Sequence, residues 1–309
     1  MESQSEQTKG IIYTAGAYVM WGVFPLYWKL IDNVSAQEIL AHRVIWSFMF
    51  MLLVLGFGKK LAAFRLEWKK LWKHPKSFTM LSIASVLISI NWFIYIWAVN
   101  HNHIIDASLG YYINPLVSIL LGMLVFKERL NFWQLLAVLL AAIGVIILTV
   151  RYGSFPWIAL SLAISFGIYG LAKKLIHFDS AIGLTLETLI IAPFALVYAI
   201  FLQKGSMFGS ELSATVLLMG GGVATALPLL YFAKGAKLIP LSMVGFLQYI
   251  APTISLGLGV FLYGEHFTKA HMLAFFFIWT ALFIFSFAKT RLMLGLVPKL
   301  GKSKSMKAS

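Results

Sequence analysis

Two adjacent ionisable residues inside an apolar stretch are the first candidates for chemistry in this sequence. His42 and Arg43 lie about seven residues, or roughly 10 Å of helix, into an apolar stretch that begins near residue 36. Ionisable groups are costly in apolar surroundings and tend to face a bundle interior or a wet cavity. An arginine there can bind a carboxylate through two parallel hydrogen bonds. The alternative is an arginine that extends to lipid headgroups or pairs with Glu38.

Glu187 is a third ionisable residue within an apolar stretch. It occupies the position of His42 when the chain is shifted by 145 residues. A carboxyl group among apolar neighbours holds its proton more tightly than one in water, so it can carry a proton through an apolar barrier. Glu187 and His42 are therefore the candidate proton-coupling residues. The alternative for Glu187 is a structural hydrogen bond to a neighbouring helix, for example to His42 or Arg43.

Amide and aromatic side chains in three further apolar stretches are the candidate lining of a binding cavity. They are Asn91, Trp92 and Tyr95, then Tyr111, Tyr112 and Asn114, and finally Gln248 and Tyr249. Pro115 and Pro252 follow closely, and each leaves a carbonyl in the preceding turn without its amide partner. Because such a carbonyl is tolerated at membrane depth only beside protein or water, we expect these helix breaks to line the cavity. The alternative is a plain kink, with the tyrosine hydroxyls bonded across helices.

Acidic residues at the ends of apolar stretches are expected to be structural. Asp106, beside His101 and His103, is expected to cap a helix. Glu128 and Glu265 occupy matching positions in the two halves of the chain. We expect each of them to clamp the turn that follows its stretch, without contacting a substrate.

Composition indicates what surrounds these residues. Of the 309 residues, 60% are hydrophobic and 12% are charged, whereas soluble proteins carry roughly 25% charged residues. Most of the chain is therefore expected to contact lipid. The net charge of +14 does not indicate nucleic-acid binding, because the basic residues lie in short loops and a tail between apolar stretches. The absence of cysteine excludes disulfides and thiolate metal sites.

Ten apolar stretches reach the length of about 20 residues that a membrane-spanning helix requires. Their approximate bounds are 10–29, 36–57, 77–99, 104–126, 131–150, 155–174, 180–201, 212–233, 239–262 and 269–288. Of the 25 Lys and Arg residues, twenty fall in one set of alternate loops and the tail and four in the other set, with Arg43 inside a stretch. This bias predicts that both termini are cytoplasmic. The loop 58–76 predicts either a short amphipathic helix on the cytoplasmic leaflet or an orientation signal alone.

The chain contains an internal repeat of five stretches. A shift of 137 residues pairs Tyr112 with Tyr249, Pro115 with Pro252, Ser118 with Ser255, Gly122 with Gly259 and Glu128 with Glu265. A shift of 145 residues pairs Gly22 with Gly167. Because five is odd, the second half must begin on the opposite side of the membrane from the first. We therefore expect an all-α integral membrane protein with ten transmembrane helices in two inverted five-helix repeats, at 10–150 and 155–288, between a cytoplasmic N-terminus at 1–9 and a basic cytoplasmic tail at 289–309.

Several short motifs carry a resemblance to a known family. Trp21 with Gly22, a proline in the middle of the fourth stretch and a glutamate at its end resemble the EamA family of the drug/metabolite transporter superfamily. The runs 21–29, 38–47 and 110–116 resemble its RarD branch, often labelled chloramphenicol-sensitivity proteins. The resemblance covers about residues 10–288 and implies transport of small metabolites or drugs, with Trp21 as a further candidate substrate-binding residue. The second half departs from the branch pattern, since Glu187 stands where His42 would recur.

Together these features predict a secondary transporter, a permease or exporter that moves a small metabolite or drug-like solute across the bacterial cytoplasmic membrane by alternating access. Proton coupling and exchange are the candidate energy sources, and a flippase for lipids or lipid-linked head groups is the alternative function. An enzyme is not expected, because His-Glu-x-x-His and Gly-x-Ser-x-Gly motifs are missing and Gly301-Lys302-Ser303 lacks the first glycine of a phosphate-binding loop. The expected partners are a small-molecule substrate and the lipid bilayer, with no cofactor, metal or nucleic acid. A homodimer is left open.

Overall fold

The computed structural model describes residues 2–31, 34–100, 104–152, 157–202, 212–262, 268–288 and 290, and within these ranges it contains helices and no strand. The α-helices are α1 (Glu2–Trp28), α2 (Ala36–Phe57), α3 (Leu61–Leu71), α4 (Pro75–Asn100), α5 (Ile104–Val125), α6 (Phe132–Tyr152), α7 (Trp157–Leu175), α8 (Ser180–Val197), α9 (Leu212–Leu238), α10 (Leu241–Leu247), α11 (Ile250–Leu262) and α12 (Lys269–Phe287). A 3₁₀ turn at Lys29–Ile31 follows α1, and a π turn at Tyr198–Leu202 follows α8.

Eight segments of the described chain are long and apolar enough to cross a membrane. They are Gln37–Phe57, Pro75–Tyr95, Phe132–Val150, Trp157–Leu175, Ser180–Phe201, Ser213–Leu238, Leu241–Leu262 and Lys269–Phe287. Leu109–Val125 is a ninth, shorter apolar helix. These nine coincide with nine of the ten predicted stretches. The remaining predicted stretch, 10–29, falls on α1, which is not among these segments. The first turns of α1 are polar, and its remainder is rich in tyrosine, tryptophan and glycine.

The first compact unit comprises residues 1–128 and 153–267. Aromatic side chains from α1, α7 and α9 meet in its core, where the Phe232 ring lies 5.8 Å from that of Trp21 and 6.1 Å from that of Tyr169. Elsewhere the helices of this unit approach closely through glycine. A Cβ on Gly222 of α9 would lie 2.4 Å from backbone and side-chain atoms of Trp46 on α2. Only glycine therefore allows α2 and α9 to pack at this distance.

The predicted short helix in the loop 58–76 is present as α3. Leu71 is buried, and Phe64 and Trp68 pack against the core of the first unit. Arg65 and Lys69 are exposed on the other side of the helix. The apolar face of α3 thus packs against the protein, and its basic face is exposed. The position of α3 on the cytoplasmic leaflet stays a prediction.

The second compact unit consists of residues 129–152 and 268–309, in which the structure describes α6 packed against α12. A Cβ on Gly144 would lie 2.8 Å from the carbonyl oxygen of Ala274, so the two helices are in backbone contact. Asn131 Nδ2 also donates to the carbonyl of Ala288 over 2.9 Å. The fifth predicted stretch of each half thus packs with its counterpart, and the compact units differ from the sequence halves.

Candidate functional site

Arg43 lies on α2 where side chains of four other helices converge. It is 8% exposed, and its Nε donates a hydrogen bond of 2.9 Å to Thr225 Oγ1 on α9. Its Cζ lies 4.6 Å from the ring centroid of Trp28 on α1 and 4.8 Å from that of Trp92 on α4. Contacts of this kind stabilise a cation through the negative face of the aromatic ring. The predicted candidates Arg43 and Trp92 are therefore close together in the structure.

The guanidinium of Arg43 keeps most of its hydrogen-bonding capacity. The Thr225 hydroxyl donates its proton to the carbonyl of Gly221 over 2.7 Å, so it can only accept from Arg43 Nε. None of the ion pairs formed among the described residues involves Arg43. The pairing with Glu38 that the sequence left open is thus not observed. An arginine has five N–H donors, and those on the terminal nitrogens of Arg43 are available to an anionic ligand.

Close contact between α2 and α9 positions this arginine. Ser47 Oγ donates to the carbonyl of Gly222 over 3.0 Å, where the two backbones touch. The helices run antiparallel here, so Arg43, one turn before Ser47, meets Thr225, which lies one turn after Gly222. A side chain at Gly222 would separate the helices and remove the support for Arg43.

His42 is buried beside Arg43 but points to a different neighbour. Its Nδ1 accepts a hydrogen bond of 3.2 Å from Trp46 Nε1, one turn further along α2. With Nδ1 as the acceptor, the neutral ring carries its proton on Nε2. His42 therefore stays a candidate for proton transfer beside the Arg43 site.

Tyr95 on α4 and Tyr111 on α5 complete the surroundings of Arg43. Their ring centroids are 5.8 Å apart, and both side chains lie close enough to Arg43 to interact with its charge. Tyr111 is 43% exposed. Asn114, one turn after Tyr111 on α5, is buried, and its Oδ1 has no hydrogen-bond partner among the described residues.

Asn91 joins two helices. Its Nδ2 donates to the carbonyl of Leu162 and to Ser165 Oγ on α7, in both cases over 2.9 Å. Both amide hydrogens are therefore used between α4 and α7. We do not include Asn91 in the site around Arg43.

Trp21 lies in the aromatic core of the first unit. Its ring centroid is 5.3 Å from that of Tyr18, 5.7 Å from that of Phe166 and 5.8 Å from that of Phe232. These contacts join α1 to α7 and α9. We therefore assign Trp21 to packing and leave it out of the Arg43 site.

The remaining candidates lie where α5 packs against α10 and α11. The Tyr112 hydroxyl donates to the carbonyl of Pro252 over 3.5 Å, and the Tyr249 hydroxyl donates to the carbonyl of Tyr112 over 3.4 Å. Gln248 Nε2 donates to Ser118 Oγ over 3.1 Å. Tyrosine hydroxyls thus bond across helices, as in the alternative that the sequence left open.

The two predicted helix breaks differ in the structure. Turn residues Gln248 and Tyr249 interrupt the ninth stretch and separate α10 from α11, so Pro252 lies in the first turn of α11. Pro115 lies inside α5, which is continuous from Ile104 to Val125. The carbonyl of Pro115 is close to α10, since a Cβ on Gly245 would lie 2.7 Å from it.

Glu187 forms a buried ion pair with Lys173. Its Oε1 lies 2.7 Å from Lys173 Nζ, and its Oε2 accepts a hydrogen bond of 3.3 Å from the Tyr169 hydroxyl. Glu187 and Lys173 are each 2% exposed. Lys173 is one of the twenty basic residues counted with the loops and the tail, and this assignment is wrong, because Lys173 belongs to the last turn of α7 and faces α8. The partner of Glu187 is thus on α7, and not His42 or Arg43.

A small cavity of about 20 Å³ borders this ion pair, and its volume is enough for about one water molecule. Tyr169, Glu187 and Trp92 line it, together with Ser85 and Ser89 of α4. Trp92 therefore lines the Glu187 cavity and also contacts Arg43.

Glu128 clamps the beginning of α10. Its two carboxylate oxygens accept hydrogen bonds from the backbone amides of Leu241 and Ser242, over 2.7 and 2.9 Å. The clamp therefore acts on a segment distant in sequence and not on the turn that follows Glu128. Glu265, His101 and His103 lie outside the described residues, as does the side chain of Asp106. No group of three potential ligands in the described part of the chain could hold a metal ion.

Comparison with known proteins identifies the family. The family model described as "EamA-like transporter family" matches residues 8–150 and 155–287. The chain belongs to the EamA-like transporter family. It is 54% identical over 290 residues to "Uncharacterized transporter YojE" of Bacillus subtilis (strain 168), which covers 93% of this chain and 96% of that protein. It is 43% identical over 285 residues to "Protein RarD" of Escherichia coli (strain K12), which covers 91% of this chain and 95% of that protein.

These matches confirm the predicted resemblance to EamA and RarD proteins. A solved structure described as "Crystal structure of protein" superposes with a TM-score of 0.70 and covers 92% of this chain and 99% of its own. At 19% identity it shows a shared fold alone. Together with the apolar helices, the family identifies a multi-pass membrane protein whose relatives are named as transporters.

Sequence reasoning missed three residues of the two polar sites. Trp28 is part of a motif run but was not singled out, and Thr225 carries no local signal because a threonine in a helix most often bonds its own backbone. Lys173 lies at the end of an apolar stretch, where a lysine can extend outward or turn inward. Its pairing with Glu187 depends on how α7 meets α8.

Proposed function

We propose that this protein is a secondary transporter that moves a small organic solute across the cytoplasmic membrane by alternating access. The observation that carries the proposal is Arg43, a buried cation flanked by Trp28 and Trp92 and paired with no carboxylate among the described residues. A buried charge without a counter-ion is costly unless something else compensates for it. A solute that binds and leaves can compensate for it without closing the site permanently.

The proposed architecture is ten membrane helices in two inverted five-helix repeats. The family matches two consecutive segments of similar length, which supports it. Two close approaches in the first compact unit support it as well. A Cβ on Gly22 would lie 2.8 Å from Ile254, and a Cβ on Gly167 would lie 2.7 Å from Val117.

The two contacts of Gly22 and Gly167 correspond under the repeat. Gly22 and Gly167 are related by the shift of 145 residues, and Val117 and Ile254 by the shift of 137 residues. The same pair of positions therefore meets twice, once in each direction between the halves. Such reciprocal contacts are expected of two copies related by a two-fold axis.

In the proposed orientation both termini are cytoplasmic, and lysine side chains hydrogen-bond neighbouring helix ends to each other on that side. Lys174 Nζ donates to the carbonyl of Ile239 over 2.5 Å, and Lys237 Nζ donates to the carbonyl of Phe178. Glu128 holds the start of α10 on the same side. We infer that this conformation is closed toward the cytoplasm, so that the Arg43 site communicates with the outside.

Proton coupling and solute exchange are the two candidate energy sources, and the ion pair between Glu187 and Lys173 affects the first of them. Proton coupling through Glu187 requires the proton to compete with Lys173 for the carboxylate, and proton coupling through His42 requires the proton to compete with the Trp46 N–H for Nδ1. Exchange of one solute for another needs neither residue to titrate. No contact among the described residues specifically favours the flippase alternative.

The test is uptake into proteoliposomes from a pooled metabolite extract, with and without a pH gradient, read by mass spectrometry against empty vesicles. We expect accumulation of at least one solute, lost in Arg43→Ala and retained in Arg65→Ala, whose arginine is exposed on α3. Loss of the gradient dependence in Glu187→Gln, with exchange retained, would assign proton coupling to Glu187. Folded protein that moves no solute but moves labelled lipid between leaflets would replace the transporter by a flippase.

A further inference from the structure

The chemical class of the solute is the next question that the Arg43 site can answer. Thr225 occupies Nε, so a ligand must approach the terminal nitrogens of the guanidinium. This edge presents parallel N–H groups that match the two oxygens of a carboxylate. A lysine would offer a point charge without that geometry. The free edge of Arg43 therefore favours a planar anionic group.

The walls of the site favour a flat apolar body behind that group. Trp28 and Trp92 flank the guanidinium, and Tyr95 and Tyr111 lie beside it with their ring centroids 5.8 Å apart. Aromatic walls hold an aromatic or flat apolar ligand by stacking and edge contacts. Tyr111 is 43% exposed, which leaves part of its ring for contact with a ligand.

The site lacks a described carboxylate that could neutralise a positive charge on the solute. Glu187 is paired with Lys173, and Glu128 holds backbone amides of α10. Glu38 precedes Arg43 by five residues on α2, so at 3.6 residues per turn the two side chains point about 140° apart. An ammonium group at the site would meet the charge of Arg43 without a counter-ion. A buried charge in that position is unfavourable.

We propose that the Arg43 site binds monoanionic aromatic carboxylates and discriminates against amino acids and amines of the same size. This inference rests on the proposed function and names the substrate class of that transporter. The anion completes the charge of Arg43, and its ring packs against Trp28, Trp92 and the two tyrosines. The discrimination follows from charge, because the three classes share the same apolar body.

The test uses three probes that carry the same phenyl ring: phenylacetate, phenylalanine and phenethylamine. Binding to purified full-length protein is measured from the concentration dependence of its thermal unfolding midpoint, which reports weak ligands through mass action. We expect phenylacetate to bind at least about 10-fold more tightly than phenylalanine, whose ammonium would enter the site without a described counter-ion. We expect phenethylamine to bind weakest, because it also lacks the carboxylate that makes charge-assisted hydrogen bonds. Phenylalanine binding as tightly as phenylacetate, or no shift with phenylacetate, would overturn the inference.

Variants assign the effect to Arg43. We expect Arg43→Gln to weaken phenylacetate binding by about 10- to 100-fold and Arg43→Lys to cause a smaller loss, since it keeps the charge but not the planar fork. Arg65→Gln is the matched control and should bind like the unmodified protein. If Arg43→Gln does not fold, the comparison rests on Arg43→Lys. Unchanged binding in the folded Arg43 variants would also overturn the inference.

The same proteins in liposomes separate this inference from the proposed function. Phenylacetate that binds in an Arg43-dependent way but is neither accumulated nor exchanged would refute transport and keep the anion site. Solute uptake that does not depend on Arg43 and prefers amines would keep transport and refute the anion site.

Discussion

The buried ion pair between Lys173 and Glu187 gives a prediction whose size depends on burial alone. Lys173→Met keeps the length and apolar stem of the side chain and removes its charge. Glu187 would then be left 2% exposed with one remaining hydrogen bond, from the Tyr169 hydroxyl. Removing one partner of a buried pair costs about 3–5 kcal/mol because the other charge is left uncompensated. We expect this loss in the free energy of unfolding.

An exposed pair of equal length is the matched control. Lys60 Nζ and Asp179 Oδ2 are also 2.7 Å apart, but their side chains are 45% and 41% exposed, against 3% and 3% for Lys173 and Glu187. Surface pairs contribute at most about 1 kcal/mol, since water solvates the partner that remains. We therefore expect Lys60→Met to cost much less than Lys173→Met.

The double variant Lys173→Met/Glu187→Leu completes the design. Replacing both charges by apolar groups of similar volume is often close to neutral, so the double variant should recover most of the stability lost by Lys173→Met alone. The measurement is equilibrium unfolding in mixed micelles of increasing SDS content. Equal losses for Lys60→Met and Lys173→Met, or a double variant no more stable than Lys173→Met, would refute the argument from burial.

Two further changes test contacts that position the helices. Gly122→Ala should lower the free energy of unfolding by about 1–3 kcal/mol, because its Cβ would lie 2.8 Å from the Glu128 carboxylate that clamps α10. The control is Gly257→Ala, which has nothing within 4 Å of its Cβ and should be neutral or stabilising. Thermal unfolding compares the two variants, and equal losses of stability would contradict the clamp. Asn91→Ala should cost about 1–2 kcal/mol through its two hydrogen bonds to α7 while leaving phenylacetate binding intact. Ser89→Ala, whose hydroxyl bonds only its own helix, is the control, and loss of binding in stable Asn91→Ala would return Asn91 to the site.

The membrane-spanning stretches could be predicted because their signal is local. About 20 consecutive apolar residues are needed to cross a bilayer, and no knowledge of neighbouring helices is required to see them. Arg43 could be singled out for the same reason, since a charge within such a stretch is unfavourable wherever the stretch packs. The short helix α3 was also visible from its mixture of basic and aromatic residues.

The partners of these residues could not be predicted, because they depend on which helices meet. Thr225 lies 182 positions from Arg43, and the contact exists because Gly222 allows α9 to touch α2. Asn91 is a polar residue within an apolar stretch and was therefore a candidate for binding, yet both of its amide hydrogens are donated to acceptors on α7. Lys173 was assigned to a loop because a lysine at a helix end usually extends toward water. Whether it does depends on the carboxylate that α8 presents to it.

Glu187 matches His42 under the repeat, next to Arg43, and the two charged residues Arg43 and Glu187 satisfy different electrostatic requirements. In the proposed orientation the first lies toward the outside and the second toward the cytoplasm, on the two sides of Trp92. Arg43 attracts an anion because no carboxylate described here neutralises it. If the proposed anion passes Glu187, an unpaired carboxylate there would repel it by about 4 kcal/mol at 4 Å in a medium of intermediate dielectric constant. Lys173 removes this obstacle, because a neutral ion pair neither holds nor repels a passing carboxylate. Under the proposed transport of anions, we therefore expect Lys173 in the second half to be needed as much as Arg43 in the first.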